Sequence, residues 1–226
     1  AYDVSFVDKQ GDILGFFNTI NICYPYYDKF VEITKEYVAK YKPSLVIVHS
    51  TVPVGTTRQL GDIAVHSPVN GKHPNLKQSI LTFVKFIGGI DPMKNYKAVE
   101  FLNKAGIKTQ VFSSPEATEL AKILCTTQYA WHIILMKEIA RLCREYNVPF
   151  HEVYTEWNGA YNNGYGDLKH YEFIRPVLFP MDGPIGGHCV VSNCELLDDF
   201  ITDMVKTRNK TFGSSNARKG GATREG

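Results

Sequence analysis

The run Leu45-Val46-Ile47-Val48 sets the first limit on what this chain can fold into. It holds no polar residue and is dominated by β-branched side chains, the pattern of a parallel strand covered on both faces. Such a strand needs helices above and below it, and the flanking sequence supplies them. Lys29 to Tyr41 carries Phe30, Ile33, Tyr37 and Val38 at helical spacing, and Pro43 closes the segment. Ahead of it, Thr19-Ile20-Asn21-Ile22-Cys23-Tyr24 is a buried strand that leaves through the turn Pro25-Tyr26-Tyr27-Asp28. Beyond it come a short strand at Ile63 to Pro68, the loop Val69 to Asn75, and a strand at Phe83 to Ile87 ending on Gly88-Gly89. A helix at Tyr96 to Ala105 and a strand at Ile107 to Phe112 follow. Alternation of this kind predicts an α/β fold with a doubly wound parallel sheet over residues 1–112.

After Phe112 the pattern changes. Ser113 or Ser114 can cap a helix with Pro115 and Glu116 in its first turn, and apolar residues recur at Leu120, Ile123, Leu124, Ile134, Leu135, Ile139 and Leu142. Extended to about Tyr146, that helix is about 50 Å long at ~1.5 Å per residue. A helix of this length carries more apolar surface than a small domain buries, so a homodimer through residues 115–146 is expected. Val148 to Trp157 forms a second helix packed back on the first. Asn158 to Asp182, rich in Gly, Asn and Tyr, is a long functional loop, and Leu196 to Val205 a last helix. The expected helical domain is 113–212. From Lys206 the sequence turns basic, then Gly-, Ser- and Asn-rich, so solvated disorder is expected, with 213–226 a disordered tail.

The totals exclude several classes. A formal charge of +2, with Lys and Arg scattered outside the tail, leaves no nucleic-acid footprint. Five cysteines, an odd number without a CxxC pair, indicate neither a disulfide framework nor a zinc site, and no other metal site is expected. No apolar run has the length to cross a bilayer, and the first residues lack a signal peptide's basic and apolar regions. The expected location is the cytoplasm, with no membrane partner.

Three places carry candidate chemistry. In Gly183-Pro184-Ile185-Gly186-Gly187-His188-Cys189, paired glycines open backbone conformations closed to other residues and deliver a single cysteine beyond the turn. Cys189 is then either a presented nucleophile or a small apolar residue beside a tight turn. Asp8 ends the alternating run Tyr2 to Asp8, where an acid either accepts hydrogen bonds from an adenosine ribose or simply makes a turn. The hydroxyls of Ser50 and Thr51, with Gly55, follow the Leu45 strand at its carboxyl end. That is where ligands of open α/β sheets gather, and it is equally a capped helix start. The GxGxxG turn that places a pyrophosphate at a helix N-terminus does not occur, so the chain either begins late relative to a full dinucleotide-binding unit or does something else.

Three blocks together resemble the nucleotide-sugar dehydrogenases, the UDP-glucose and GDP-mannose dehydrogenase family. They are Ser50-Thr51-Val52-Pro53-Val54-Gly55-Thr56-Thr57, Glu119-Leu120-Ala121-Lys122 followed by Glu138, and Gly186-Gly187-His188-Cys189. The resemblance implies a Rossmann-like domain followed by a helical dimerisation domain, without the family's third, nucleotide-binding domain. It implies an NAD-dependent oxidation of a UDP- or GDP-sugar alcohol to the uronic acid. Cys189 would be the nucleophile that holds the aldehyde as a thiohemiacetal and then a thioester. Lys122 would stabilise the oxyanion and lower the thiol pKa. Thr51 matches the threonine near the nicotinamide, and Tyr26 takes the place of a cofactor-contacting threonine.

The sequence also departs from the family pattern. Thr126 stands where the family has an Asn one turn beyond the lysine, Asn193 replaces an Asp four residues past the cysteine, and Val69 replaces a Glu linked to hydrolysis. His73, His188 and Glu119 are the residues near enough in sequence to compensate. Two other readings stay open: a hydroxyacid dehydrogenase related to the 6-phosphogluconate enzymes, which need no cysteine, and a catalytically impaired sugar-nucleotide-binding or dimerisation module.

Overall fold

The computed structural model describes residues 18–71, 74–187 and 189–217, with side chains to residue 213. The chain forms two compact units that divide between Lys122 and Ile123. Asp8 lies outside the described residues, as do His73 and His188.

In the first unit β1 (Thr19–Ile22), β2 (Leu45–Val48), β3 (Ala64–His66), β4 (Lys85–Gly89) and β5 (Thr109–Val111) make one sheet in that spatial order. The alternation of β2 shows why its sequence is wholly apolar. Val46 and Val48 pack with Ile22, Phe30 and Val52 on one face, while Leu45 and Ile47 pack with Val65, Ile87, Ala98 and Leu102 on the other. Phe30 comes from α1 (Phe30–Tyr41), and Ala98 and Leu102 from α3 (Pro92–Lys104). Each helix is stopped or started by local chemistry. Lys42 takes a left-handed φ of 46° and its N–H bonds the Val38 carbonyl just before Pro43. Asp91 accepts the Met93 N–H at 2.8 Å with Pro92 at the first helical position.

The sheet is not uniformly parallel. β1/β2, β2/β3 and β4/β5 are parallel, but β3 and β4 run antiparallel, with His66 opposite Gly88. The cause lies in the connection. A crossover between parallel strands needs a helix with an apolar face on the sheet. Among the described residues the one helix between β3 and β4 is α2 (Leu76–Thr82), and it buries no residue. The chain therefore turns back on itself, and β4 starts at the edge where β3 ends. Gly88 is obligatory in this strand, because a Cβ there would stand 2.2 Å from the Ser114 carbonyl oxygen.

The long helix α4 spans Pro115–Glu145, with the Ser114 hydroxyl accepting the Ala117 N–H at 3.2 Å. Asn147 ends it at φ 52°, and the Val148 N–H returns to the Cys143 carbonyl. In the second unit Ala130 and Ile134 of α4 form a core with Cys194 and Val205, flanked by Trp131, Ile185, Val190 and Phe212. The helix expected from Val148 starts instead as a π-helical turn at His151–Glu156 and runs on into α5 (Trp157–Asp167).

Two expectations are thereby corrected. The loop predicted from Asn158 begins only after Asp167, because tertiary contacts outweigh the weak helix propensity of its Gly and Asn residues. Tyr161 and Tyr165 meet one turn apart, the Arg175 guanidinium lies 3.7 Å from the Tyr161 ring centre, and Asn162 bonds both the N–H and the carbonyl of Arg175. The last helix, α7, covers Phe200–Ala217 rather than Leu196 to Val205, so residues 206–217 are ordered as helix. Its basic residues have partners. Lys206 pairs with Asp203, and Arg208 with Glu138 of α4. The short helix α6 (Val190–Cys194) lies between.

Candidate active site

The first unit gathers polar groups at the carboxyl ends of its parallel strands. Beyond β2, the Ser50 hydroxyl donates to the Tyr24 carbonyl at 2.5 Å, so Ser50 ties two strand exits together. Thr51 is half-buried next to it. The loop onward to Thr57 is held by Glu119 of α4, a fully buried side chain whose two carboxylate oxygens accept the Gly55 N–H at 2.6 Å and the Thr57 N–H at 2.8 Å. Burial raises the Glu119 pKa, and these hydrogen bonds pull it back. Both oxygens being committed to the loop, Glu119 holds backbone and does not compensate for an altered polar group. Tyr26 lies against Phe30, ring centres 5.5 Å apart, as part of the packing on one sheet face.

Three titratable groups that no motif marks, the buried His66 and Lys85 and the half-buried His49, meet at this edge. His49 donates from Nδ1 to the Ser67 carbonyl at 3.0 Å, and its Nε2 lies 2.9 Å from the Asn21 side-chain amide. His66 reaches Thr118 Oγ1 and the Ser50 carbonyl. Burial lowers both to a pKa of about 3, so both rings are neutral. Lys85, at the start of β4, donates to the Ser67 and Pro68 carbonyls at 2.6 and 3.0 Å. Desolvation brings its pKa down to about 7. Because β4 is antiparallel, with His66 opposite Gly88, its first residue lies beyond the end of β3, where its side chain reaches the Ser67 and Pro68 carbonyls. The loop it holds carries Val69 and Asn70, and Asn70 Oδ1 accepts the Lys122 ammonium at 3.2 Å.

In the second unit Cys189 is exposed and directly precedes α6. Gly187, two residues earlier, takes a φ of 87°, and nothing lies within 4 Å of where its Cβ would stand, so its glycine is needed for conformation. The Asn193 N–H returns to the Cys189 carbonyl at 3.2 Å. The buried Asn193 side chain donates through Nδ2 to Thr126 Oγ1 at 3.2 Å, and the Thr126 hydroxyl donates to the Ile123 carbonyl. Two of the three positions that depart from the family pattern are thus direct partners. Cys194 contrasts with Cys189: it is buried, packs in the core, lies 3.7 Å from Thr127 Oγ1, and burial pushes its thiol pKa up.

No family model matches the chain, and no curated protein does. Among solved structures the architecture is that of dehydrogenases with a Rossmann-like sheet followed by a long-helix region. The chain is similar to UDP-D-ManNAc dehydrogenase from Pyrococcus horikoshii, at 21% identity and a TM-score of 0.71 over 89% of this chain and 52% of that one. It is also similar to UDP-glucose dehydrogenase from Pyrobaculum islandicum (17%, TM-score 0.64, 89% and 51%). A third likeness is to 3-hydroxyisobutyrate dehydrogenase from Mycobacterium tuberculosis (15%, TM-score 0.54, 91% and 75%). The chain spans about half the length of the nucleotide-sugar dehydrogenases it matches, and at these identities the likeness establishes the fold. No helix among the described residues is long and apolar enough to cross a membrane.

Proposed function

We propose that this chain belongs to an NAD-dependent nucleotide-sugar dehydrogenase that oxidises the primary alcohol of a UDP- or GDP-sugar to the acid. The observation that carries the reading is the side-chain pair Thr126–Asn193, formed on the helix turn that follows an exposed Cys189. With the Asn193 N–H also bonded to the Cys189 carbonyl, the pair supports a catalytic set of Cys189, Lys122, Thr126 and Asn193. Domain limits near 112 and 212 and a homodimer through α4 belong to the same proposal. Exposed Leu135 and Leu142 on α4, with exposed Tyr146 just past its end, support the latter. Five unpaired thiols favour a reducing compartment.

The carboxyl edge of the sheet fits the nicotinamide end of a dinucleotide: Thr51 stands at the exit of β2, on a loop made rigid by Glu119. Bound there, the cofactor supplies the hydride acceptor. The remaining steps belong to this chain. Lys122, steadied by Asn70, stabilises the oxyanion as the alcohol loses its proton. Loss of a first hydride from the alkoxide carbon leaves the aldehyde, and the Cys189 thiolate adds to that carbon, forming a C–S bond and a thiohemiacetal alkoxide. Loss of a second hydride from that carbon gives the thioester, and water breaks the C–S bond to release the acid and the thiol. Asn193 has no carboxylate to deprotonate that water, so this hydrolysis is the slow step.

The test supplies the protein with NAD and a panel of UDP- and GDP-sugars and follows NADH absorbance. The reading expects two NADH per sugar consumed with one nucleotide sugar of the panel. One NADH per substrate, with a small hydroxyacid preferred and Cys189→Ser still active, would instead support a hydroxyacid dehydrogenase. The likeness to 3-hydroxyisobutyrate dehydrogenase is what keeps that reading in view.

A further inference from the structure

Lys137 is a buried cation on α4, 7% exposed, with no carboxylate among the described residues in hydrogen-bond contact. Its ammonium donates to two backbone carbonyls of the loop that leads to Cys189: Met181, and Gly183 at 2.8 Å. The Phe212 ring of α7 lies on its other side, 5.4 Å from ring centre to Nζ. Asp182 is the one acid whose charge it feels appreciably, since Glu138 beside it is taken by Arg141 and Arg208. A lysine is costly to bury, and a nearby leucine or methionine would fill the same volume without that cost. What the amine adds is two hydrogen bonds to carbonyls that no helix or strand satisfies.

Those two bonds fall where the loop needs them. Gly183 takes a left-handed φ of 78°, a turn with no regular backbone pairing of its own. Two residues on, the Ile185 N–H is taken by Asn209 Oδ1 of α7 at 2.6 Å, and the Ile185 side chain enters the core beside Val190 and Cys194. The loop is therefore fastened to α4 at Met181 and Gly183 and to α7 at Ile185. It then passes through Gly187, again left-handed, to Cys189.

We infer that Lys137 is a positioning residue for Cys189: through the Met181 and Gly183 carbonyls it fixes the loop from which the thiol is presented. The inference rests on the reading of Cys189 as the nucleophile. Lys137 touches no reacting atom, so its loss acts through order in the loop and not through binding.

The test compares Lys137→Met, which keeps the aliphatic length and removes the donor, with Lys137→Arg, which keeps donors. Amide exchange over residues 181–189 is measured with the rate of iodoacetamide labelling of the Cys189 peptide, resolved by mass spectrometry from the other exposed thiols at Cys23 and Cys125. Where a nucleotide sugar is turned over, kcat and KM are also measured. For Lys137→Met the expected result is at least tenfold faster exchange in the loop, a several-fold change in labelling rate, and kcat reduced tenfold or more with KM within about threefold. Lys137→Arg recovers most of the kcat. Unchanged exchange and labelling in a folded Lys137→Met protein overturn the inference, even if kcat falls. Loosened exchange and altered labelling in a protein that oxidises no nucleotide sugar uphold the anchor and remove the dehydrogenase reading alone. If Lys137→Met does not fold, Asn209→Ala releases the same loop from α7 and must loosen it and alter labelling in the same way. If it does neither, the inference fails.

Discussion

Asn193 and Thr126 face one another across α6 and α4, with the amide Nδ2 donating to the hydroxyl oxygen at 3.2 Å and the hydroxyl passing its own proton to the Ile123 carbonyl. The direction of this relay is fixed, because Ile123 O can only accept. Asn193 therefore presents its amide nitrogen to Thr126 and keeps its oxygen for other donors.

Thr126→Val removes the acceptor and leaves a buried Asn193 N–H unsatisfied, a cost of about 1–3 kcal/mol. The expected outcome is a lower urea midpoint at unchanged slope. Asn193→Leu in the Thr126→Val background recovers part of the loss, since neither partner is then left unpaired.

The neutral histidines fix the acid limit of the fold. His49 and His66 have folded pKa values of about 3 against an ordinary value of ~6.5, so the unfolded chain binds more protons between those limits. Stability is complete above pH ~6.5 and is lost as pH falls toward 3, by a few kcal/mol for the pair. Thermal unfolding across pH 7 to 4 shows the loss. His66→Gln, which keeps a donor toward the Ser50 carbonyl, makes it shallower.

Lys85 works in the other pH range. Its folded pKa of about 7 lies below the unfolded ~10.5, so the native state sheds a proton that the unfolded chain keeps, and stability rises between pH 7 and 10.5. Chemical denaturation at pH 7 and pH 9 should show a gain at the higher pH that Lys85→Met abolishes. The same variant frees the Ser67 and Pro68 carbonyls and loosens the loop that carries Asn70 to Lys122.

Glu119→Gln tests the loop that the buried carboxylate holds at Gly55 and Thr57. A carboxylate accepts both the Gly55 and Thr57 N–H groups, whereas an amide accepts one and turns its own N–H toward the other. A loss of about 2 kcal/mol or more is expected in denaturant unfolding, with faster amide exchange at Gly55 and Thr57.

What the sequence revealed follows from which forces are local. The two-sided burial of Leu45 to Val48 and the long periodicity of α4 are written in consecutive residues, and both appear in the structure with bounds close to those expected. The direction of β4 is not, because it depends on α2 failing to cover the sheet, a property of the folded surface. α5 and the second half of α7 were hidden for the same reason: their Gly, Asn, Ser and Thr residues disfavour helix until contacts with Arg175, Glu138 and Asp203 are in place. Cys189, Lys122, Thr126 and Asn193 were singled out by their places in the blocks that carry the family resemblance. Lys85 and Lys137 were not, since a lysine on a strand edge or a helix looks solvent-facing until its carbonyl partners come from distant loops.

Intact-mass and peptide mass spectrometry of the protein mixed with NAD and a nucleotide sugar it oxidises tests the central claim most directly. With Asn193 in place of a carboxylate, hydrolysis lags and a thioester accumulates on the Cys189 peptide. Its mass exceeds that of the free peptide by the sugar nucleotide less about four hydrogens, two lost as hydrides and two as protons. Absence of any adduct during turnover, or an adduct that persists in Cys189→Ser, would contradict the account.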